Sequence, residues 1–289
     1  MKNVKIRLDL YLVKKGLFES REKSRAAIMA GRVLVNEQVL DKAGAQVSED
    51  TLVRLRGDEP PFVSRGGQKL AKALAEFAIT LEGKVVLDVG ASTGGFTDCA
   101  LKNGAARVYA IDVGYGQLAW TLRQDPRVVS MERTNIRYLT PEEMAEKGDA
   151  ATIDVAFISL KKVLPSVKRL LKAGAPVIGL IKPQFEAGPE KVGKRGVVRD
   201  PVVHQEVIRG VIQAAQEQGF KLKGLTFSPL LGPEGNIEYL AWLEVLEVKE
   251  SQLDEEKLQF SGCSQEFLEN LVKVIVTKSH RSLIAKLLD

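Results

Sequence analysis

Cysteine and histidine are scarce in this chain of 289 residues, which contains two of each. Cys99 and Cys263 do not form a CxxC pair, and two histidines cannot complete a Cys/His ligand set. A disulfide framework and a zinc site both require more of these residues. We therefore expect no metal centre, and we expect both cysteines to be packed side chains or bystanders.

Long apolar runs are also missing. The N-terminal segment lacks the apolar stretch of a secretory signal, and no later segment approaches the roughly 18 to 20 apolar residues that span a bilayer. Hydrophobic residues make up 45% of the chain and charged residues 27%, as in ordinary globular proteins. We expect a cytoplasmic protein that does not bind a membrane, with one large domain and a smaller one.

Acidic residues are few at the N-terminal end. The formal net charge of the whole chain is +5, yet residues 1–32 contain nine basic residues and three acidic ones. Such a local excess predicts a polyanionic partner. A solvated helix face is the commoner fate of a charge run, so the pattern around the bases must decide between the two.

That pattern indicates a compact module over residues 5–56. Apolar residues recur at helical spacing from Leu8 to Val13, and Ser20 can cap a second helix over 21–29, followed by short strands. The motifs "RLD..L" and "SR..S...I..G.V.VN" resemble the RNA-binding domain of ribosomal protein S-four. A basic face on the module can follow a phosphate backbone. The arginines expected to contact RNA there are Arg7, Arg21, Arg25 and Arg32.

After a Pro-Pro and Gly-Gly stretch that is typical of a linker, strand-like and helical segments alternate from residue 84. Such alternation predicts a parallel, doubly wound α/β sheet. The last two strands are joined by "LGPEGN", which is too short for a crossover, so they should pair antiparallel. A parallel sheet that ends in an antiparallel hairpin is typical of a methyltransferase Rossmann sheet and differs from a dehydrogenase sheet. We therefore predict an α+β RNA-binding domain over 1–58, a linker over 59–68, and a Rossmann-like methyltransferase domain over 69–289 that ends in a helix.

The segment "VVLDVGASTGGF" is a strand that runs into a glycine-rich turn and a helix. Its glycines do not have the GxGxxG spacing of a dinucleotide site. Asp112 ends the next strand, at a separation where a carboxylate can bind both ribose hydroxyls of an adenosine cofactor. S-adenosylmethionine suits this turn better than NAD, because it has no pyrophosphate. The expected cofactor contacts are Gly90, Ser92, Gly94, Gly95, Phe96, Asp112 and Asn135.

Four charged residues should meet at the carboxyl edge of the predicted sheet. Asp154 and Lys182 end the fourth and fifth strands, Glu238 opens the last strand, and Lys69 lies just before the first strand. A free lysine titrates near about 10.4, so a lysine base needs burial and a second cation beside it. An amine tuned in this way could deprotonate a weakly acidic alcohol such as a ribose 2′-hydroxyl.

Taken together with "DVGASTGGFTD", "AIDVGYGQLAW", "IKPQFE" and "GPEGNIEYLAWL", the N-terminal module resembles the TlyA family of rRNA 2′-O-methyltransferases, whose members are often named haemolysins. The resemblance implies an FtsJ-like catalytic domain in which Lys182 is the base. Lys69 would support it, and Asp154 and Glu238 would orient the lysines. It also implies a cytidine ribose in 23S rRNA as substrate, and in some members also in 16S rRNA, within 50S or 30S subunits.

Further RNA contacts are expected near the catalytic edge, at Arg65, Arg133, Arg137 and Phe157. Phe157 follows Asp154 by three residues and could stack on an unstacked base, although a core phenylalanine is about as consistent with its position. No obligate protein partner is evident from the sequence.

Two other classes of function compete with this interpretation. A ribosome assembly factor with a vestigial cofactor fold would have no need of the glycine turn, Asp112 and all four charged residues. A membrane-lytic haemolysin would need a strongly amphipathic or apolar insertion segment. The only candidate for such a segment is the terminal helix, which is better explained as packing on the sheet.

Overall fold

The computed structural model describes residues 5–36, 38–48, 51–56, 61–247 and 265–285. The chain divides into two compact units, Met1–Pro61 and Phe62–Asp289. Cys263 and the polar segment before it lie outside the described residues.

The first unit combines two short helices with short strands. Its elements are β1 (Lys5–Arg7), α1 (Leu8–Lys14), α2 (Arg21–Met29), β2 (Val33–Val35), β3 (Gln38–Val39), β4 (Gln46–Ser48) and β5 (Val53–Leu55). β1 pairs antiparallel with β4, and β2 pairs antiparallel with β3 and β5. The predicted second helix is confirmed at both ends, because the Ser20 hydroxyl accepts a hydrogen bond from the Lys23 N–H and the helix ends at Met29.

The second unit is built around one mostly parallel sheet. Its elements are α3 (Gly66–Phe77), β6 (Val85–Val89), α4 (Gly95–Lys102), β7 (Arg107–Ile111), α5 (Trp120–Arg123), β8 (Val128–Met131), β9 (Ala150–Ile153), α6 (Leu164–Leu170), β10 (Pro176–Ile181), α7 (Pro183–Glu186), α8 (Pro201–Glu217), β11 (Phe220–Phe227), β12 (Tyr239–Val245) and α9 (Gln265–Ala285).

The strand order is β11-β12-β10-β9-β6-β7-β8. β12 runs antiparallel to both of its neighbours, and the pairs from β10 to β8 are all parallel. The predicted doubly wound sheet with an antiparallel C-terminal hairpin is therefore confirmed. Every residue of β6 is buried, as expected for a central strand with helices on both faces.

The C-terminal helix α9 packs against α8 and β11. Val272, Val276 and Leu283 on its inner face are buried in the same apolar cluster as the sheet. This helix therefore completes the hydrophobic core beyond the edge strand, as the sequence suggested. In the portion of the chain that the structure covers, no helix is both long and apolar enough to cross a membrane.

The predicted linker requires a correction. Residues 57–60 lie outside the described residues, but α3 already begins at Gly66, so 66–68 are helical rather than linking. The second glycine of the pair serves close packing here. A Cβ on Gly67 would lie 2.3 Å from the Phe62 ring, so the missing side chain lets Phe62 pack against the first turn of α3.

Candidate functional site

The turn after β6 depends on glycines at two positions. Gly90 and Gly94 have φ angles of +86° and +95°, which disfavour any other residue. A Cβ on Gly90 would lie 2.5 Å from the Asp154 carbonyl oxygen, and one on Gly94 would lie 2.2 Å from Leu122. The glycine turn and the end of β9 therefore touch, which brings the expected cofactor residues to the strand that carries Asp154.

Asp112, just beyond β7, is bonded to this turn. Its carboxylate accepts hydrogen bonds from the Ser92 N–H at 2.8 Å and from the Gly114 N–H at 2.7 Å. The side chain therefore joins the glycine turn to the loop after β7. Phe96 is buried in α4, the helix that Gly95 begins.

A cavity of about 780 Å³ opens beside Asp112. The predicted cofactor residues Gly90, Ser92, Asp112 and Asn135 line it, together with the apolar side chains of Ile111 and Ile136. Asn135 Oδ1 accepts a hydrogen bond from the Arg137 N–H at 3.1 Å, which fixes the amide at the cavity wall. A polar carboxylate and amide between apolar walls are typical of a nucleoside site.

A second cavity, of about 370 Å³, contains all four charged residues of the predicted catalytic set, Lys69, Asp154, Lys182 and Glu238. Gly90, Ser92, Gly95 and Phe96 also line it. The two cavities share Gly90, Ser92, Asp154 and Ala156, so they adjoin at the end of β9.

Within the second cavity the charges alternate in sign. Lys182 Nζ lies 2.5 Å from Asp154 Oδ1, and Lys69 Nζ lies 2.6 Å from Glu238 Oε2 and 4.0 Å from Asp154 Oδ2. Glu238 is fully buried, and the other three side chains are at most 19% exposed. Two cations and two carboxylates thus balance in a largely dehydrated cluster, where charge interactions are stronger than in water.

The Lys69–Glu238 pair leaves one oxygen unused. Among the described residues, no hydrogen-bond partner reaches Glu238 Oε1, although the atom is buried. It packs against Gly232, where a Cβ would lie 2.3 Å from it. A buried carboxylate oxygen without a donor is costly, so the cluster has capacity for one more hydrogen-bond donor.

Asp88, in the middle of β6, was missed by the sequence reasoning. Its carboxylate accepts hydrogen bonds from the hydroxyls of Thr97 in α4 and Thr152 in β9, at 2.6 and 3.1 Å. Burial raises its pKa to about 7, and the nearby charge of Asp154 adds to the shift. The signal for it in the sequence was a single aspartate inside the otherwise apolar strand "VVLDV". Through its two hydrogen bonds Asp88 links β6 to α4 and β9, the elements that hold the glycine turn and Asp154.

The structure excludes the core position for Phe157. Its side chain is 90% exposed at the edge of the first cavity, with a φ angle of +63°. Its ring centroid lies 5.1 Å from that of Phe185, a second aromatic residue on this rim that the sequence reasoning missed. Glu186 accepts hydrogen bonds from the Ser159 hydroxyl and the Leu160 N–H, which links the loop after β9 to α7.

Two of the three expected arginines of the second unit line the cavities. Arg65 lines the smaller one and Arg137 the larger one, and both are exposed. Arg133, also exposed, stacks its guanidinium over the Tyr115 ring at 4.2 Å. Its backbone N–H donates to the Gly114 carbonyl, which places it beside Asp112 in the loop after β7.

The arginines of the first unit divide into two groups. Arg7 and Arg21 both bind the carboxylate of Asp9, which is fully buried. The Arg7 hydrogen bond is the largest cause of the fall in the pKa of Asp9 to about 2. These two arginines therefore have a structural partner that the sequence reasoning overlooked, while Arg25 is exposed and Arg32 half-buried.

Comparisons with known proteins agree with this architecture. A model of the FtsJ-like methyltransferase family matches residues 62–245, and an S4 domain model matches residues 6–53. YqxC of Bacillus subtilis (strain 168) is 54% identical over 245 residues, which cover 84% of this chain and 87% of YqxC.

The 16S/23S rRNA (cytidine-2′-O)-methyltransferase TlyA of Mycobacterium tuberculosis is 47% identical over 238 residues, 82% of this chain and 89% of that protein. A solved structure of a protein from Streptococcus thermophilus that is named as a hemolysin is 41% identical to this chain, with a TM-score of 0.73. The match covers 99% of this chain and 100% of that one. The match over most of the sheet domain and the identity to full-length relatives lead to one conclusion: this chain belongs to the FtsJ-like methyltransferase family and carries an S4 domain ahead of its catalytic domain.

Proposed function

We propose that this protein transfers a methyl group from S-adenosylmethionine to the 2′-hydroxyl of a cytidine ribose in ribosomal RNA. The observation that carries the proposal is the cluster of Lys69, Asp154, Lys182 and Glu238 in a cavity that adjoins the larger one beside Asp112. The 47% identity to an rRNA (cytidine-2′-O)-methyltransferase supports the choice of substrate.

The larger cavity fits the nucleoside part of S-adenosylmethionine. Asp112 offers a carboxylate at the end of β7, where ribose hydroxyls are commonly bound in such sheets, and Asn135 offers an amide to the base. The glycine turn leaves open space at the junction of the two cavities, which suits the methionyl part. When bound, this cofactor supplies a methyl group on a positively charged sulfur.

The chain's own residues would then accept one proton and position both the lysine base and the substrate ribose. The Lys182 amine, after losing a proton to solvent, would accept the proton of the 2′-hydroxyl, so that the methylated oxygen ends as a neutral ether. Asp154, whose Oδ1 lies 2.5 Å from Lys182 Nζ, would orient this amine and pair with the ammonium that forms. Lys69, held by the buried Glu238, places a second positive charge beside Asp154 and is available to the substrate ribose.

Reaching a ribose hydroxyl in folded RNA requires the nucleotide to leave its stack. Phe157, which is exposed, and Phe185, which is half-buried, form an aromatic pair at the rim of the larger cavity. Stacking of a base on such a surface contributes about 1 to 3 kcal/mol. We propose that Phe157 receives the displaced base and that Arg65, Arg133 and Arg137 contact the neighbouring phosphates.

The S4 domain is the proposed targeting module, and we place its boundary near residue 58. Arg25 and Arg32 keep the role predicted for them, while the side chains of Arg7 and Arg21 remain 42% and 47% exposed beside Asp9. They can contact a phosphate and Asp9 together. Ribosomal RNA within the 50S subunit, and also the 30S subunit, is the proposed partner.

The proposal is tested by incubating the protein with methyl-labelled S-adenosylmethionine and purified 50S or 30S subunits from cells that lack this modification. We expect label in the RNA of at least one subunit and none in its proteins. A protein that binds the subunits but transfers no label would instead be an assembly factor, and the catalytic assignment would be wrong.

A further inference from the structure

The loop between α7 and α8 carries a basic turn that the proposed catalytic and targeting residues do not include. Residues 193–196 read Gly-Lys-Arg-Gly. The Gly196 N–H donates to the Gly193 carbonyl at 2.8 Å, which closes a β-turn with Lys194 and Arg195 at its two central positions. Both side chains are exposed, and within the described ranges neither makes an ion pair.

This turn is anchored rather than loose. Asn236, only 2% exposed, accepts a hydrogen bond from the Val198 N–H and donates one to the Gly196 carbonyl, at 3.1 and 3.0 Å. Val198 is also buried, and its carbonyl accepts a hydrogen bond from His204 Nε2 at 2.8 Å. Because leaving such buried polar groups unpaired would be costly, the backbone that follows the turn is held from two sides.

The same anchor belongs to the catalytic edge. Asn236 stands two residues before Glu238, and its carbonyl accepts a hydrogen bond from the Gly232 N–H. Gly232 lines the cavity of the four charged residues and packs against the Glu238 carboxylate. The basic turn is therefore fastened to the loop that forms one wall of the catalytic cavity.

We propose that Lys194 and Arg195 bind the phosphate backbone of the RNA next to the nucleotide being methylated. The inference rests on the proposed function, because it assigns part of the same RNA substrate to this turn. Because the backbone next to the turn is already held, RNA binding would order only the two side chains, and each cation would release counterions from the RNA. Arg199, which is also exposed, lies three residues beyond the turn and extends the same basic loop.

The test is a double variant, Lys194→Ala with Arg195→Ala, compared with Lys273→Ala with Lys278→Ala. The control removes the same charge from two exposed positions of α9. For the subunit that the wild-type protein methylates, we expect the turn variant to bind roughly tenfold more weakly at moderate salt. The slope of log affinity against log salt should become shallower by roughly 1.4 to 1.8, as for the loss of two phosphate contacts.

Turnover should separate this role from a catalytic one. In the turn variant KM for the subunit should rise while kcat and affinity for S-adenosylmethionine stay at wild-type values, and Lys194→Glu with Arg195→Glu should bind more weakly still. If the turn variant matches the control in affinity and salt slope while the wild-type protein methylates normally, the turn does not bind RNA. A wild-type protein that methylates no RNA would refute the proposed function itself.

Discussion

The contact between Gly90 and Asp154 offers a measurable link between the glycine turn and the catalytic cluster. In Gly90→Ala the new methyl group would meet the Asp154 carbonyl oxygen at 2.5 Å and its carbon at 2.9 Å. The carbonyl must then move by roughly 0.5 to 1 Å to restore ordinary contact. Because Asp154 also holds Lys182 at 2.5 Å, the displacement reaches the proposed base.

The loss of folding stability in Gly90→Ala has two causes. A left-handed alanine costs about 1 to 2 kcal/mol, and overpacking against backbone adds about 1 to 3 kcal/mol. Gly83→Ala is the matched control, because Gly83 also has a positive φ, +67°, but its Cβ would meet nothing within 4 Å. Urea unfolding should therefore show Gly90→Ala less stable than Gly83→Ala by about 1 to 3 kcal/mol.

Activity should follow the same order. A misplacement of about 1 Å in a reacting group can lower turnover by about 100-fold, so kcat should fall in Gly90→Ala and remain near the wild-type value in Gly83→Ala. The reasoning is refuted if the two variants unfold with the same free energy and both keep wild-type turnover. In that case the turn and Asp154 would be mechanically independent.

Four further predictions address individual residues. Lys182→Ala should abolish methyl transfer while calorimetry gives an affinity for S-adenosylmethionine within a few-fold of wild type; wild-type turnover would make Lys182 a mere strand end. Asp112→Asn should weaken that affinity by about 1 to 3 kcal/mol, and unchanged calorimetric binding would remove Asp112 from the cofactor site. Phe157→Ala should lower activity on RNA by about 1 to 3 kcal/mol of transition-state stabilisation without lowering the melting temperature, since the ring is exposed; a lower melting temperature with full activity would contradict the stacking role. Burial lowers the pKa of His204 to about 4, so the unfolded chain binds its proton more readily. The stability that His204 contributes should be complete above about pH 6.5 and be lost, by up to about 3 kcal/mol, as the pH falls towards 4; His204→Gln should flatten this part of the unfolding profile, and an unchanged profile would exclude His204 as its source.

Local patterns predicted the elements well. Ser20 and the apolar spacing after it were enough to place α2, because a cap and a helical repeat act within a few residues. The strand alternation and the short "LGPEGN" turn were enough to predict the sheet and its antiparallel hairpin, because connection length limits how two strands can pair.

Specific side-chain contacts were not predictable in this way. The glycine pair at 66–67 has the composition of a linker, yet α3 begins at Gly66 and Phe62 packs against Gly67 in its first turn. Likewise, the basic composition of this segment does not reveal that Arg7 and Arg21 both form ion pairs with the buried Asp9. These features depend on the folded arrangement, for which the linear sequence carries no spacing rule.

Parts of the candidate site were predictable because parallel strands share one carboxyl edge. Asp154 and Lys182 follow adjacent strands, so their meeting is dictated by topology. Phe185, Glu186 and the Asn236 anchor were missed, because their roles arise from loops that approach one another after the strands have assembled.

The central claim is that Lys182 serves methylation of a ribose hydroxyl rather than of a base. The direct measurement is nucleoside analysis of subunit RNA labelled by the wild-type protein and by Lys182→Ala. We predict that the wild-type label elutes as 2′-O-methylcytidine, that the adjoining phosphodiester resists alkaline hydrolysis, and that Lys182→Ala gives no label. Label on a base, next to a phosphodiester that alkali still cleaves, would contradict this claim. Equal labelling by the wild-type protein and by Lys182→Ala would contradict it as well.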